Sequence, residues 1–231
     1  MDGFQAWTAA GPVGEHVARA IAAAPRGDDP YRHWLPGNIL PPGDCAAIAD
    51  LPIGMPTPAD TMGRRETNNA TRVYFSAENR MRFDVCARTA LAFQEGKAVA
   101  AIQRAAGIDL AGTHLRIEYC QDRDGFWLEP HTDIGAKRLT LLVYLSDDPG
   151  GQDWGTDILD EFWYPVARAP FRRNHGLMFV PGATTYHGFR RRPIRGVRRS
   201  IIVNYVGSEW RARHELSFPD RAVSAVRRLA P

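Results

Sequence analysis

Cysteine is scarce in this chain. Only Cys45, Cys86 and Cys120 occur among 231 residues. They are odd in number and far apart, so they build neither a disulfide framework nor a CxxC metal site. Such usage fits a reducing cytoplasm. Long apolar runs are missing as well. None approaches the roughly 20 residues that span a bilayer, so no membrane partner is expected. The opening Met1-Asp2-Gly3-Phe4 has no basic stretch followed by an apolar one and is not expected to act as a signal peptide. No internal repeat and no low-complexity tract is present. Charge of one sign is also in short supply: the formal net charge is +3, which by itself identifies no partner.

What remains is ordinary globular material, 44% hydrophobic and 24% charged, expected to form a single domain over residues 1–231. Helical spacing and Ala-rich composition predict a helix over 14–24 and two helices over 82–106, divided near Gly96. Pro41-Pro42-Gly43-Asp44 is a helix start, with Asp44 expected as the N-cap of 45–50. Residues 31–40 look extended, and 51–69, rich in Pro, Gly and Thr, read as a loop. After Gly112 the pattern changes to branched and aromatic runs between Gly, Pro and Asp: 115–120, 126–129, 139–145, 177–180 and 197–206. Helices first and strands later predict helices packed on one side of an antiparallel sheet structure, and many short strands suggest a sandwich or jelly roll. The expected division is a helical buttress over about 1–112, a β core over about 113–208, and a tail over 209–231 that docks a helix back on the core.

The chemistry is concentrated in Glu129-Pro130-His131-Thr132-Asp133, the one His-x-Asp of the chain. Side chains two apart on a strand point the same way, so His131 and Asp133 can reach one ion together. His187, which follows the Pro181-Gly182 turn at the end of a strand, is the expected third ligand. His175, beside Asn174 and Gly176, is its competitor and reads as a turn residue. His16, His33, His114 and His214 have no matching context and read as surface or packing residues. Two imidazoles and one carboxylate on one face of an octahedral ion leave three positions open, the ligand set of non-haem Fe(II) oxygenases. A structural zinc site is closed and usually thiolate-rich.

Further on lies Gly196-Val197-Arg198-Arg199-Ser200-Ile201-Ile202-Val203-Asn204-Tyr205. Alternation puts Arg198, Ser200, Ile202 and Asn204 on one face and Arg199, Ile201, Val203 and Tyr205 on the other. The second face suits packing against helices. The first carries a guanidinium, a hydroxyl and an amide, which suits a polar pocket. There Arg198 can hold a carboxylate through paired charge-assisted hydrogen bonds, with Ser200 adding another. A keto-diacid such as 2-oxoglutarate offers that carboxylate, far from the end that chelates iron. The six arginines between Arg190 and Arg199 read either as a solvated loop or as a basic rim for an acidic substrate or cofactor.

Taken in order, Tyr119, His131-Thr132-Asp133, the run from Leu139 to Asp147, Pro181-Gly182 with His187-Gly188, and Arg198-Arg199-Ser200 resemble the Fe(II)- and 2-oxoglutarate-dependent dioxygenase superfamily, in particular its prolyl-hydroxylase-like branch. The resemblance implies a double-stranded β-helix (jelly-roll) core. It implies iron held by His131, Asp133 and His187, the far carboxylate of 2-oxoglutarate held by Arg198 with Ser200, and Tyr119 hydrogen-bonded to the co-substrate. It further implies O₂ as the oxidant, and hydroxylation of a small molecule, peptide or protein side chain as 2-oxoglutarate is decarboxylated to succinate. Asp133 fills the position that halogenating relatives leave for chloride. The branch's Gly-Gly-x-Leu is here Gly155-Thr156-Asp157-Ile158, and residues 147–163 are expected as a loop over the site. Two other readings stand beside this one. A nucleic-acid demethylase on the same scaffold is weakened by the absence of an extended basic stripe. A non-catalytic jelly-roll binding module does not account for the triad together with Arg198.

Overall fold

The structure is a computed structural model that describes residues 11–55, 57 and 72–226. Most of the 51–69 loop lies outside the described residues, as do residues 64–71 of Arg64–Arg72, a polar stretch that the resemblance places facing substrate and that otherwise reads as a solvated loop. The described residues form five helices: α1 (Gly11–Ala22), α2 (Pro42–Ala49), α3 (Ala77–Arg82), α4 (Asp84–Gln94) and α5 (Gly96–Ala106). The break between α4 and α5 falls at Glu95, where the backbone is extended, so the division expected near Gly96 is real. Asp44 is not the N-cap of α2. The helix starts earlier, at Pro42, because proline is pre-set for the first helical turn, and Asp44 instead receives Arg88 through Nη2 at 2.8 Å.

The strands are β1 (Arg26–Gly27), β2 (His33–Trp34), β3 (Val73–Tyr74), β4 (His114–Asp122), β5 (Leu128–His131), β6 (Lys137–Tyr144), β7 (Asp157–Leu159), β8 (Pro165–Arg168), β9 (Gly176–Phe179), β10 (His187–Phe189) and β11 (Arg198–Val206). They form a seven-stranded sheet in the order β1-β2-β9-β6-β11-β4-β3 and a four-stranded sheet in the order β5-β10-β7-β8. This is the expected jelly roll with flanking helices. The expected boundary at 112/113 does not divide the sheet, however. β1, β2 and β3 come from the helical half and form the edges of the large sheet, paired to β9 and β4. Strands this short carry no legible alternation, and the same holds for β7, β8 and β10.

The large sheet is covered on both sides. Leu115, Ile117 and Tyr119 of β4, Leu139, Leu141 and Val143 of β6, and Ile201, Val203 and Tyr205 of β11 pack with the helices in one core. Cys120, Leu142, Tyr144 and Ile202 point the other way and join Phe126, Trp154, Ile158, Phe171 and Phe189 in a second core against the small sheet. The β11 phase is the one that alternation predicts. Residues 147–163 are not simply a loop over the site: they include β7, and Trp154 is 1% exposed. The tail docks without a helix among its described residues, apart from one 3-10 turn at Arg213–Glu215. It runs as a strap instead. Ser217 N donates to Leu115 O at 2.9 Å, Val223 N donates to Thr113 O at 2.7 Å, and Leu216 and Phe218 are buried beneath it. None of the described helices is long and apolar enough to cross a membrane.

Candidate metal centre and its cavity

A cavity of about 230 Å³ opens between the two sheets. Its walls follow from the strand phase: Arg116 and Glu118 from β4, Thr140 and Leu142 from β6, and Arg198 and Ile202 from β11 face His131, Asp133, His187 and Phe189 across it. His131 ends β5, Asp133 follows in the loop, and His187 opens β10. β5 and β10 pair with His187 directly opposite His131. That register brings the two rings within 4.3 Å. Gly188 is required here, because a Cβ would stand 2.8 Å from Leu128 O of β5. One ligand atom from each of His131, Asp133 and His187 lies within 4.8 Å of the others, the sole such grouping of metal-capable side chains among the described residues.

Each member is oriented. His131 Nδ1 lies 2.9 Å from Glu129 O, and His187 Nδ1 lies 3.1 Å from Thr185 O. These carbonyls are acceptors, so each Nδ1 carries the proton and each Nε2 lone pair is left to bind. Burial pushes the His187 imidazole down to about 4, against the pull of Asp133, which keeps the ring neutral. Burial works to raise Asp133, but the Lys137 ammonium, His187, and hydrogen bonds from Lys137 and Thr140 overcome it and hold the carboxyl well below its usual range. Lys137 Nζ donates to Asp133 Oδ1 at 2.5 Å and Thr140 Oγ1 to Oδ2 at 2.6 Å. The second contact continues: Asn204 Nδ2 donates to Thr140 Oγ1 at 2.9 Å, and Arg116 Nη1 donates to Asn204 Oδ1 at 3.2 Å. A chain of hydrogen bonds thus joins the carboxylate to the buried Arg116.

Arg198 lies at the other end of the cavity, 2% exposed. Its Nε donates to Trp154 O at 2.7 Å, Nη1 to Asp122 Oδ2 at 2.5 Å and Nη2 to Thr156 Oγ1 at 3.5 Å. Of five donors, three are engaged and two remain for a ligand. Arg199 points away and reaches Met55 Sδ at 3.9 Å. Ser200 shares Arg198's face and is fully buried, but it does not reach the cavity lining, and its Oγ has no partner.

Tyr119 is a correction. It pairs with Ile201 on the odd-numbered face and packs among the helices, its hydroxyl 3.5 Å from Ala49 O. One step of alternation separates it from the site. His175 also stays away, in a turn with Nδ1 3.0 Å from Arg173 O. The arginine cluster divides. Arg192 and Arg198 turn inward, Arg192 onto Asp157, while Arg190, Arg191 and Arg195 are exposed. No continuous basic rim forms.

Several groups at the site went unnoticed in the sequence. Thr140 and Tyr144 sit on β6, whose phase, once set by Arg198 on the neighbouring β11, would have found them, whereas Lys137 has the opposite parity on β6 and Thr156 precedes β7, so alternation places neither. Tyr31 could not be found that way. It arrives from the first quarter of the chain, packs edge-on against Phe179 at 6.0 Å, and carries a buried, unpartnered hydroxyl. Burial, with the charge of Asp133 nearby, raises that hydroxyl far above the ordinary phenol range.

No family model matches the sequence, and no curated protein matches it. Solved structures do. A Pseudomonas putida prolyl-4-hydroxylase superposes with TM-score 0.53 at 14% identity, over 85% of this chain and 95% of that one. This chain has a prolyl-hydroxylase-like fold. A Trichoplax adhaerens prolyl hydroxylase in complex with a hypoxia inducible factor peptide fragment shares the fold at TM-score 0.54, 14% identical, over 84% and 88% of the chains. So does the non-heme alpha ketoglutarate dependent epimerase SnoN from nogalamycin biosynthesis, at TM-score 0.51 and 16% identity, over 84% and 83%. Within the prolyl-hydroxylase-like fold, the His131, Asp133 and His187 cluster occupies the open mouth between the sheets.

Proposed function

We propose that this protein is an Fe(II)- and 2-oxoglutarate-dependent oxygenase that hydroxylates a small molecule or a peptide or protein side chain. The observation that carries the reading is the convergence of His131, Asp133 and His187 in the same buried cavity as Arg198. The donor set fits the metal: two imidazoles and an ionised carboxylate, with no thiolate, suit non-haem iron with open positions. Bound iron would supply the activation of O₂ coupled to decarboxylation of 2-oxoglutarate.

The chain's own residues do the rest. His131 and His187 present Nε2 because Nδ1–H is spent on backbone carbonyls. Lys137 and Thr140 keep Asp133 ionised and aimed. Arg198, fixed by Asp122 and Trp154, offers its two remaining N–H groups to the co-substrate's far carboxylate. Phe126, Leu142, Phe189 and Ile202 wall the space between with apolar surface that excludes water. Asp133 fills the place a halide would need, which favours hydroxylation over halogenation. The fold relatives comprise an enzyme with a bound peptide and an epimerase from nogalamycin biosynthesis, so large and small substrates both stand within the proposal.

Succinate release from 2-oxoglutarate, with a mass-spectrometric search for products that gain one oxygen atom across amino acids, peptides and nucleotides, tests the reading. Alanine at His131, Asp133 or His187 is expected to weaken metal binding strongly and abolish succinate release, while circular dichroism still shows a folded chain. Full succinate release from the His187→Ala protein would overturn it.

A further inference from the structure

Two donors in the cavity wall are shut off from solvent and make no hydrogen bond. They are Arg72 Nε and Trp210 Nε1, neither of which has a hydrogen-bond partner. Both side chains line the cavity, and both belong to the end away from Arg198. Along β11, Arg198 stands opposite Asp122, and Asn204 stands opposite Arg116. Six residues of strand separate the two positions by roughly 20 Å. Arg116 anchors the far end. Its Nε donates to Glu215 Oε2 at 2.6 Å, Nη1 lies 3.0 Å from Glu118 Oε2, and its guanidinium is held between the rings of Tyr74 at 4.7 Å and Trp210 at 5.0 Å. Arg72 lies across Glu118, its Nε 3.3 Å from Oε1 but outside hydrogen-bonding geometry.

Buried polar groups in folded proteins are almost always paired, and one that is not calls for an explanation. An indole N–H and a guanidinium N–H can only donate, so the group that completes them is an acceptor. Charge decides which acceptor. Among the described residues this end sets Arg72, Arg116 and Lys137 against Glu118, Glu215 and Asp133, three cations against three carboxylates. A ligand carboxylate would be brought against Glu118 and repelled. A ligand cation would leave both donors unmet. A neutral carbonyl oxygen has two lone pairs and adds no charge.

We propose that Arg72 and Trp210 form a substrate-recognition subsite for an uncharged carbonyl oxygen, as in an amide, a ketone or a lactone. Arg72, with its side chain 19% exposed, is the part that shifts to admit the oxygen, while Arg116 fixes the Trp210 ring. Ile134, on the lining and 60% exposed, gives the apolar part of such a molecule a surface at the mouth. The proposal rests on the cavity being the place where co-substrate and substrate meet.

The test uses the full metal-free chain with ¹⁵N-labelled tryptophan. The sequence has six tryptophans, and Trp210→Phe assigns one indole signal while the others report that the fold survives. The probes are matched in size: N-acetylpiperidine, cyclohexanone and δ-valerolactone as neutral carbonyls, cyclohexanecarboxylate and cyclohexylammonium as ions. At least one neutral probe is expected to move the Trp210 signal saturably, and which one names the source of the carbonyl. The ions are expected to leave it in place, and Arg72→Met to weaken the neutral probe at least tenfold. A signal unmoved by every neutral probe, moved as far by either ion, or unaffected by Arg72→Met overturns the subsite. Mn(II) and 2-oxoglutarate binding, followed on the same sample by water-proton relaxation, is a separate readout. Its failure removes the oxygenase reading and leaves the indole result to be judged alone.

Discussion

The two faces of β11 are buried alike and built for opposite ends. Ile201, Val203 and Tyr205 meet the helices with nothing polar except the Tyr205 hydroxyl, which donates to Phe93 O at 2.5 Å. Arg198, Ser200 and Asn204 face the small sheet with a guanidinium, an unpartnered hydroxyl and an amide. An apolar face gains from every square ångström it hides. A polar face gains only when each group finds a partner, and a half-satisfied network is destabilising. The second face is therefore stability given up for a site, and the first is where the fold recovers it.

Substitutions on the two faces should separate cleanly. Ile201→Ala removes buried methylenes from the helix-side core and is expected to destabilise the chain by about 2–5 kcal/mol, read by urea denaturation, with the KM for 2-oxoglutarate unchanged in the folded fraction. A shifted KM would join the two faces.

Acid should act through the site face. His187 is depressed to about 4 in the folded chain, whereas an unfolded histidine titrates near 6.5. The unfolded chain therefore takes up the proton first. Stability of the metal-free protein is fully present above about pH 6.5 and falls as pH drops towards 4. Asp133, also depressed, adds a loss in the same direction at lower pH. Thermal melts across that range should show the decline, and His187→Gln should flatten it; an equal decline in both proteins would assign the effect elsewhere.

Thr140→Val deletes the hydroxyl that holds Asp133 Oδ2. Outer partners of metal ligands typically contribute 10–100-fold in affinity, so Mn(II) binding should weaken by about that factor, with Thr140→Ser restoring it. Failure of the serine to rescue would point to packing instead. The smallest effects distinguish neighbours. Arg198→Ala is expected to raise the KM for 2-oxoglutarate at least tenfold, about 1.4 kcal/mol. Arg199→Ala should change it less than about threefold. The reverse order in a succinate-release titration would break the assignment of faces to roles.

How much of this was legible in the sequence follows from how far each signal reaches. The long strands and the β11 phase were readable because nine alternating residues average out local noise. The triad was readable because His131 and Asp133 are two apart and His187 follows a strand-ending turn. Tyr119 failed because a family motif gave its position but not its phase, and its register partner Ile201 faces the helices. Tyr31 was illegible for a different reason. It reaches the site from a distant segment, with no periodicity to announce it. Arg72 lay in a polar stretch readable either as a solvated loop or as substrate-facing, and Trp210 follows β11 just past the end of its alternation. The C-terminal strap misled in the same way, since its order comes from bonds to Leu115 and Thr113 and not from a local pattern.

β11 is the central partner of β4 on one side and β6 on the other, yet it is the last strand among the described residues. As the polypeptide is synthesised, β4 and β6 emerge with a vacant lane between them. The lane stays open through the making of the entire small sheet, with backbone edges on both sides unpaired. Closure waits for residues 198–206, so the metal-site walls and the helix-side core are completed in one late event. Pairing over such sequence distances is slow, and a nascent chain paused before that point exposes two sticky edges at once.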